Sequence, residues 1–425
     1  MAEQDVQRSG HVAAPPASVW ARVRDFCAPW HPLIARMWAE DGGQTRAFTV
    51  AGVDTIYRER LTWFSDSDRT MRYAHLEGIE GAQHYAGCMK VAPSDQGGSV
   101  ITMCAQIEAE PARAQEIAKG TAAIFETGLA ALSRPRDEPQ PAAHEEPAPV
   151  ETQTEVFDDT PQLALSLTPK RDGPLCLFLH GIGGNRSNWD AQLGLAGTIT
   201  QSAALDLRGY GDSSLGPTQS TVDDYCDDIL CVAERLDAQN LILCGLSYGS
   251  WIATAFAEKH PGRLAGLILS GGCTGMSEAQ ADGREAFLAS REAPLDAGQS
   301  PADLAPAVIP AISGPNATAA ALAAMQASMA AIPTATYRDA LRCFTNPQRR
   351  FDFSKFSMPV LMMTGEHDKL APPAEIKSVA TRIYAASLKP DVRFEVIKGA
   401  GHICNVEAPD LYNVPLQEFL TRVAR

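Results

Sequence analysis

One feature most constrains the fold of this 425-residue chain: a strand-like apolar run is followed by a serine between two glycines and then by a helix-like run. Residues 241–245 read LILCG, residues 245–249 read GLSYG around Ser247, and residues 250–260 read SWIATAFAEKH. Glycines two places before and after the serine fit a strained strand-to-helix turn in which a Cβ would collide with the backbone. The helix N-terminus also favours negative charge at the serine oxygen. Ser247 is therefore a candidate nucleophile, and a tight turn without chemistry is the alternative.

Apolar strand-like runs alternate with helical runs on both sides of this turn. Such alternation indicates a mostly parallel sheet covered by helices on both faces. The long alanine-rich stretch between the runs that end near 272 and begin near 359 is interrupted by prolines and exceeds a simple crossover. We predict that it forms a helical cap at about 275–350. The predicted strands are 175–181, 201–213, 241–245, 264–272, 359–368 and 393–402.

Two residues further along the chain would complete a catalytic triad with Ser247. Asp368 ends the strand-like run PVLMMTGEHD, and His402 ends the run RFEVIKGAGH. Serine, acid and histidine in this order suit the fold, and parallel strands place their functional groups at their carboxyl ends. We predict that His402 is the base and that Asp368 orients it, with Glu366 and His367 as rivals for the acid position.

The turn HGIGG (180–184) follows the first predicted strand of this region. Glycine-rich turns expose backbone amides to anions, and an oxyanion hole needs two such donors. We predict that the amides of Ile182 and Tyr248 form this hole; a plain strand-end turn is the alternative. Candidate pocket side chains, each more often found in a core, are Trp189, Trp251, Met325, Met329 and Phe344.

The segment 134–152 is rich in proline and charged residues and has almost no large apolar side chains. It cannot bury enough surface to offset its chain entropy, so we predict an extended linker. The linker would separate a domain over residues 1–133 from a domain over residues 153–425.

Residues 1–133 predict a short strand, a helix after Pro15-Pro16, several strands and one long helix over 111–133. A curved antiparallel sheet wrapped on one helix is the α+β arrangement that suits this order. The strands are expected near 45–50, 55–64, 70–77, 83–92 and 99–109, and the apolar stripe of the helix is Ile117, Ile124, Phe125, Leu129 and Leu132. Five residues could line a cavity or act as acid and base: Tyr57, Glu59, Trp63, Tyr73 and His75. We favour packing or solvent-exposed roles for these five residues. We also favour a structural role for His31.

Composition excludes several classes of function. A net charge of -15 argues against nucleic acid or an anionic membrane as a partner. The chain shows neither a transmembrane run nor a signal peptide, and its ten cysteines form no CxxC pair. We expect free buried thiols, a cytoplasmic location, and neither a cofactor nor a metal.

Five motifs in order, HGIGG, DLRGYGDS, GLSYG, TGEHD and GAGH, resemble those of the α/β-hydrolase superfamily over residues 155–425. The spacing is similar to its esterase, carbon–carbon hydrolase and enol-lactonase members, such as 3-oxoadipate enol-lactonase. This resemblance implies turn roles for Asp206, Arg208 and Gly209. The element order over residues 5–133, with DFCAPWHP, is similar to the START-like (SRPBCC) superfamily and its polyketide cyclase/dehydrase branch. That resemblance implies a helix-grip fold and a hydrophobic ligand.

These observations predict a serine hydrolase that cleaves a small-to-medium carboxylic ester or lactone through an acyl-enzyme. Hydrolysis of a carbon–carbon bond and acyl transfer on the same triad are alternatives. A third alternative is a ligand-binding sensor or carrier in which the hydrolase is vestigial. The sequence leaves open the identity of the substrate, the role of the N-terminal domain and whether the chain forms a homo-oligomer.

Overall fold

The computed structural model describes residues 1–134, 150–347 and 350–425. The chain divides into two compact units, Met1–Glu145 with Asp391–Phe394 and Glu146–Pro390 with Glu395–Arg425. The predicted linker over 134–152 falls largely on residues 135–149, which lie outside the described residues.

The first unit is an antiparallel sheet with one long helix. Its strands follow one another in the sheet in the order β1-β7-β6-β5-β4-β3-β2. The elements are β1 (Ala2–Val12), α1 (Pro16–Ala21), β2 (Ile34–Glu40), β3 (Thr45–Val50), β4 (Ile56–Ser65), β5 (Thr70–Glu77), β6 (Ala82–Pro93), β7 (Ser99–Ala109) and α2 (Pro111–Leu132), with a 3-10 turn over Asp41–Gly43. The predicted α+β arrangement is confirmed, and β2 is a strand that we did not predict.

Helix α2 contributes one face to the core of this unit. Ile117, Phe125 and Leu132 are buried with side chains of the sheet such as Val6 and Met103. Ile124 was predicted to belong to the same stripe, but it is 45% exposed. The prediction is wrong there because positions 124 and 125 lie about 100° apart around a helix, so both cannot face the core squarely.

Two cysteines of the first unit are covalently joined. Cys88 on β6 lies directly opposite Cys104 on β7, and the two form a disulfide with Cα atoms 5.1 Å apart. The expectation that all ten cysteines are free thiols is therefore wrong for this pair, because strand register brings together residues that no short motif connects. The other eight are free. The expected cytoplasmic location rested partly on free thiols and loses that support.

The second unit is built on a mostly parallel sheet. Its order is β8-β9-β11-β10-β12-β13-β14-β15, in which β8, β9 and β11 pair antiparallel and the run from β11 to β14 is parallel. The strands are β8 (Gln153–Phe157), β9 (Leu163–Leu167), β10 (Leu175–Leu179), β11 (Ser202–Leu205), β12 (Leu241–Leu246), β13 (Leu264–Ser270), β14 (Val360–Gly365) and β15 (Val392–Ile397). Every residue of β10, β11, β12 and β14 is buried, as expected for strands covered on both faces. The antiparallel pair β8–β9 was not predicted.

Helices follow most of the parallel strands. They are α3 (Asp190–Gly197), α4 (Val222–Arg235), α5 (Tyr248–Lys259), α10 (Pro373–Ala386), α11 (Cys404–Glu407) and α12 (Pro409–Val423), with 3-10 turns at Arg186–Trp189, Pro261–Arg263 and Phe353–Lys355. The described residues between β13 and β14 form four further helices, α6 (Ala281–Asp296), α7 (Pro301–Ile312), α8 (Ala319–Ala330) and α9 (Thr334–Thr345), which we call the cap helices. None of the described helices combines the length and apolar character needed to cross a membrane.

The turn DLRGYGDS is held by buried ion pairs. Both oxygens of Asp206 accept from Arg186, through its main-chain amide at 2.8 Å and through its guanidinium. Arg208 makes two parallel bonds of 2.8 and 2.7 Å to the carboxylate of Asp228. Burying charges is costly unless they are paired in this way, so these residues fix the turn that follows β11.

Candidate active site

The serine turn has the strained geometry that its glycines predicted. Ser247 joins β12 to α5 with φ 53° and ψ -110°, and its amide donates to the Ser270 carbonyl at 2.7 Å. A Cβ on Gly245 would collide with the backbone of Gly249, and one on Gly249 would collide with the Leu179 carbonyl. Larger residues would push the turn apart, so the two glycines are what allows Ser247 to project from it.

Three side chains meet at this turn in a continuous hydrogen-bonded row. His402 Nε2 lies 2.8 Å from Ser247 Oγ, and His402 Nδ1 lies 2.9 Å from Asp368 Oδ2. Because a carboxylate only accepts, Nδ1 carries the imidazole proton, which leaves Nε2 free to accept from the serine hydroxyl. His402 and Asp368 are only 6% and 4% exposed, so water competes little for these bonds.

Asp368, and neither of its rivals, faces the imidazole. Its Oδ1 accepts from the amides of Leu370 at 2.8 Å and Ala371 at 2.9 Å. Burial opposes ionisation, but the hydrogen bond and charge of His402 together with these amides outweigh it and hold the pKa of Asp368 below its ordinary value. The side chains of Glu366 and His367 are 45% and 46% exposed.

The loop that contains Ile182 is fixed by two buried aromatic side chains. Tyr210 Oη donates to the Ile182 carbonyl at 3.1 Å. His180 Nε2 accepts from the Leu207 amide at 3.1 Å, so its Nδ1 carries the proton and donates to the Gly181 carbonyl at 2.8 Å. Burial lowers the pKa of His180, which favours this neutral form. We did not predict these positioning roles for His180 and Tyr210.

Ile182 and Tyr248, whose amides are the predicted oxyanion donors, both lie in the cavity lining near Ser247. His402 lines the same cavity. Tyr248 is the first residue of α5, where the main-chain amide has no acceptor within the helix. Both amides thus belong to segments that can face a negatively charged oxygen beside Ser247.

One buried carboxylate that we did not predict holds the histidine loop. Glu407 accepts from the amides of Gly401 at 2.8 Å and Ile403 at 3.0 Å, the two neighbours of His402. It also accepts from the amide of Gly314, which follows cap helix α7, at 2.7 Å. Glu407 therefore joins the histidine loop to the cap helices. Its sequence context resembles that of a surface helix residue, so no spacing rule could identify it.

The cavity above Ser247 has a volume of about 610 Å³. Most of its lining is apolar, and all four cap helices contribute to it. Of the five predicted pocket side chains, Met329 and Phe344 line this cavity, whereas Trp189, Trp251 and Met325 are buried outside its lining. Across the described ranges, no group of three or more histidine, cysteine or carboxylate side chains could hold a metal ion.

Two candidate residues of the first unit, Glu59 and Tyr73, lie at a buried ion pair with Arg46. Glu59 accepts from Arg46 Nε at 2.7 Å, and the Arg46 guanidinium carbon lies 4.9 Å from the Tyr73 ring centroid. His75 Nε2 accepts from the Ile79 amide at 2.9 Å. Tyr57 stacks on Phe48, Trp63 is buried, and His31 bonds the Ile124 carbonyl at 3.0 Å.

Two family models match the chain. The model described as alpha/beta hydrolase fold matches residues 174–409, which is more than half of the chain. The chain is an α/β hydrolase. The model described as polyketide cyclase / dehydrase and lipid transport matches residues 3–134 of this α/β hydrolase. Both resemblances drawn from the sequence are confirmed.

A hydrolase, an enol-lactonase and an esterase are among the proteins that this α/β hydrolase resembles. It is 26% identical over 281 residues to the 2-(acetamidomethylene)succinate hydrolase of Mesorhizobium japonicum, covering 62% of this chain and 93% of the relative. It is 23% identical over 260 residues to 3-oxoadipate enol-lactonase 2 of Acinetobacter baylyi, covering 59% of this chain and 90% of the relative. A thermophilic esterase from Thermogutta terrifontis superposes with a TM-score of 0.54 at 26% identity, covering 65% of this chain and all of that one.

Proposed function

We propose that this α/β hydrolase cleaves a small-to-medium carboxylic ester or lactone through an acyl-enzyme on Ser247. The observation that carries the proposal is the row formed by Ser247 Oγ, His402 and Asp368, with bonds of 2.8 and 2.9 Å. A serine hydroxyl is a weak nucleophile until a positioned base removes its proton, and this row supplies that base.

In the proposed first step, Ser247 Oγ attacks the carbonyl carbon while His402 Nε2 takes the hydroxyl proton. Asp368 stabilises the imidazolium that forms, without itself being protonated. The carbonyl oxygen becomes an oxyanion, which the amides of Ile182 and Tyr248 stabilise.

In the proposed second step, the imidazolium gives its proton to the leaving alkoxide and the acyl group stays on Ser247. A water molecule, deprotonated by His402 Nε2, then attacks the acyl carbon, and the imidazolium returns the proton to Ser247 Oγ as the acid leaves. In a lactone the alkoxide remains joined to the acyl group, so a single hydroxy acid is released at the end.

The size of the cavity supports a substrate of modest size. A volume of about 610 Å³ lies within the range of small-molecule sites, roughly 300–1,000 Å³. An enol-lactonase and an esterase are among the proteins that this chain resembles, which supports ester or lactone cleavage over the carbon–carbon and acyl-transfer alternatives.

We propose a separate role for the first unit, the binding of a hydrophobic ligand. This role is supported by the match of residues 3–134 to a family whose description names polyketide cyclase, dehydrase and lipid transport. Native mass spectrometry of the full chain tests this role. We expect an apolar molecule to stay bound to the chain, and to remain bound after Ser247 has been acylated. A chain without any bound molecule after purification in the presence of lipids would contradict this role.

Replacing the nucleophile tests the enzymatic proposal. Ser247→Ala should lower kcat for p-nitrophenyl butyrate by at least about 10⁴-fold, because it removes the hydroxyl that lies 2.8 Å from His402 Nε2. Ser290→Ala, on the exposed face of α6, serves as the control and should keep wild-type turnover. Turnover retained in a folded Ser247→Ala protein would refute the proposal.

A further inference from the structure

The apolar cavity above Ser247 has an arginine in its lining. Arg291, on α6, lines the cavity, and its guanidinium carbon lies 5.3 Å from the Phe287 ring centroid. Within residues 1–134, 150–347 and 350–425, no carboxylate pairs with it. The adjacent Glu292 instead binds Arg338 and Arg342 at 3.1 and 2.7 Å. Arg291 is half-buried in the cavity lining, where its guanidinium is accessible to a charged group of a ligand.

The remaining charges in the cavity lining do not neutralise Arg291. Lys369 and Glu375 also line it, and among the described residues Glu375 forms no ion pair with either cation. Lys369 Nζ lies 3.5 Å from the Ala311 carbonyl. Apart from the triad, the lining therefore holds two cations and one carboxylate, in a chain whose net charge is -15.

A neutral hydrogen-bond donor lines the same cavity. Tyr337, on cap helix α9, is 7% exposed, and burial raises the pKa of its phenol, which keeps the hydroxyl protonated. A guanidinium presents a planar fork of donors that matches a carboxylate, and stacking on a ring fixes that plane. The cap side of the cavity thus offers donors and positive charge, whereas the sheet side holds the reactive groups.

We propose that Arg291 is a specificity-determining residue that binds a carboxylate of the substrate, separate from the carbonyl that Ser247 attacks. The substrate class is then an ester or lactone that carries a free carboxylate, such as a half-ester of a dicarboxylic acid. This inference rests on the proposed hydrolysis at Ser247 and names the substrate of that site.

Two esters with the same leaving group isolate the contribution of the carboxylate. p-Nitrophenyl butyrate is neutral, and mono-p-nitrophenyl glutarate carries a carboxylate at the far end of a similar acyl chain. Arg291→Met should lower kcat/KM for the glutarate ester by roughly 10- to 100-fold, because a hydrogen bond to a charged group is lost. The loss for the butyrate ester, which has no carboxylate for Arg291 to bind, should be smaller by at least about fivefold.

Matched variants separate this effect from a general disturbance of the cap helices. Arg284→Met removes an arginine of the same helix that donates to the Ala279 carbonyl and does not line the cavity, so both esters should behave as with the wild type. Arg291→Lys should recover part of the lost activity on the glutarate ester, since it keeps the charge but loses the fork. An equal loss on both esters, or no loss on the glutarate ester, would overturn the proposal.

A binding measurement makes the inference independent of turnover. Glutarate itself should bind the full-length wild type by calorimetry at least about 10-fold more tightly than it binds Arg291→Met. If neither ester is hydrolysed at Ser247, the proposed function is refuted. The difference in glutarate affinity between the two proteins still shows whether Arg291 binds a carboxylate. Equal glutarate affinities in two folded proteins would reject the role of Arg291 even where Ser247 hydrolyses both esters.

Discussion

At the scale of single residues, the site depends on main-chain positions that only some side chains allow. Ser247 has φ 53°, a left-handed conformation that costs a non-glycine residue free energy and persists where the surroundings enforce it. Gly245 and Gly249 could be recognised from the sequence because their requirement is local. Glu407 could not be recognised, because its three amide donors come from Gly314, Gly401 and Ile403, which the fold brings together.

Glu407 should affect turnover more than substrate binding. Glu407→Gln replaces one accepting oxygen by an amide group that cannot accept, so an amide beside His402 loses its partner. We expect kcat for p-nitrophenyl butyrate to fall by roughly 10- to 100-fold, with KM little changed, because small displacements of a base are costly. Steady-state kinetics and a thermal melt measure the two effects.

A charge-matched control completes that test. Glu285→Gln alters an exposed glutamate of α6 and should leave kcat and the melting temperature at wild-type values. A Glu407→Gln protein with unchanged kcat would show that the histidine loop does not need this carboxylate.

At the scale of elements, periodicity predicted the buried strands well and strand pairing poorly. The apolar runs around 175–179, 241–246 and 360–365 are buried parallel strands. They could be predicted because a strand that is buried on both faces has an almost continuous apolar sequence. The β8–β9 pair and the β6–β7 register were missed, because register depends on contacts between residues that are distant in sequence. The disulfide between Cys88 and Cys104 follows from that register.

Thiol counting tests the pairing of β6 with β7. In denaturant without reductant, eight thiols should react with Ellman's reagent, and all ten should react after reduction. Because the two cysteines lie 16 positions apart in sequence, reduction should lower the stability of the first unit by about 3 kcal/mol. Ten reactive thiols before reduction would mean that the bond does not form.

At the scale of the whole molecule, the order of motifs predicted the fold class. Turns that follow the carboxyl ends of parallel strands lie at the same edge of the sheet. Because HGIGG, GLSYG, Asp368 and His402 follow one another in the chain in this order, few folds could bring them together. The identity of the substrate could not be predicted in the same way. It depends on side chains of the cap helices, such as Arg291, whose meaning appears only when the cavity is known.

The second unit should retain catalysis when it is produced alone. The catalytic and positioning residues of the second unit lie between His180 and Glu407, and this unit has a hydrophobic core of its own. A fragment of residues 150–425 should therefore fold and hydrolyse p-nitrophenyl butyrate with kcat/KM within about threefold of the full chain. A soluble, folded fragment without activity would show that the first unit contributes to the chemistry.

The most direct test of the account is the covalent labelling of Ser247. A fluorophosphonate probe should add one label per chain by intact mass, and peptide mapping should locate it on Ser247. The same probe should fail to label His402→Ala at a comparable rate, because Nε2 at 2.8 Å is the group that activates the hydroxyl. A label on another residue, or equal labelling of His402→Ala, would contradict the assignment of Ser247 as the nucleophile activated by His402.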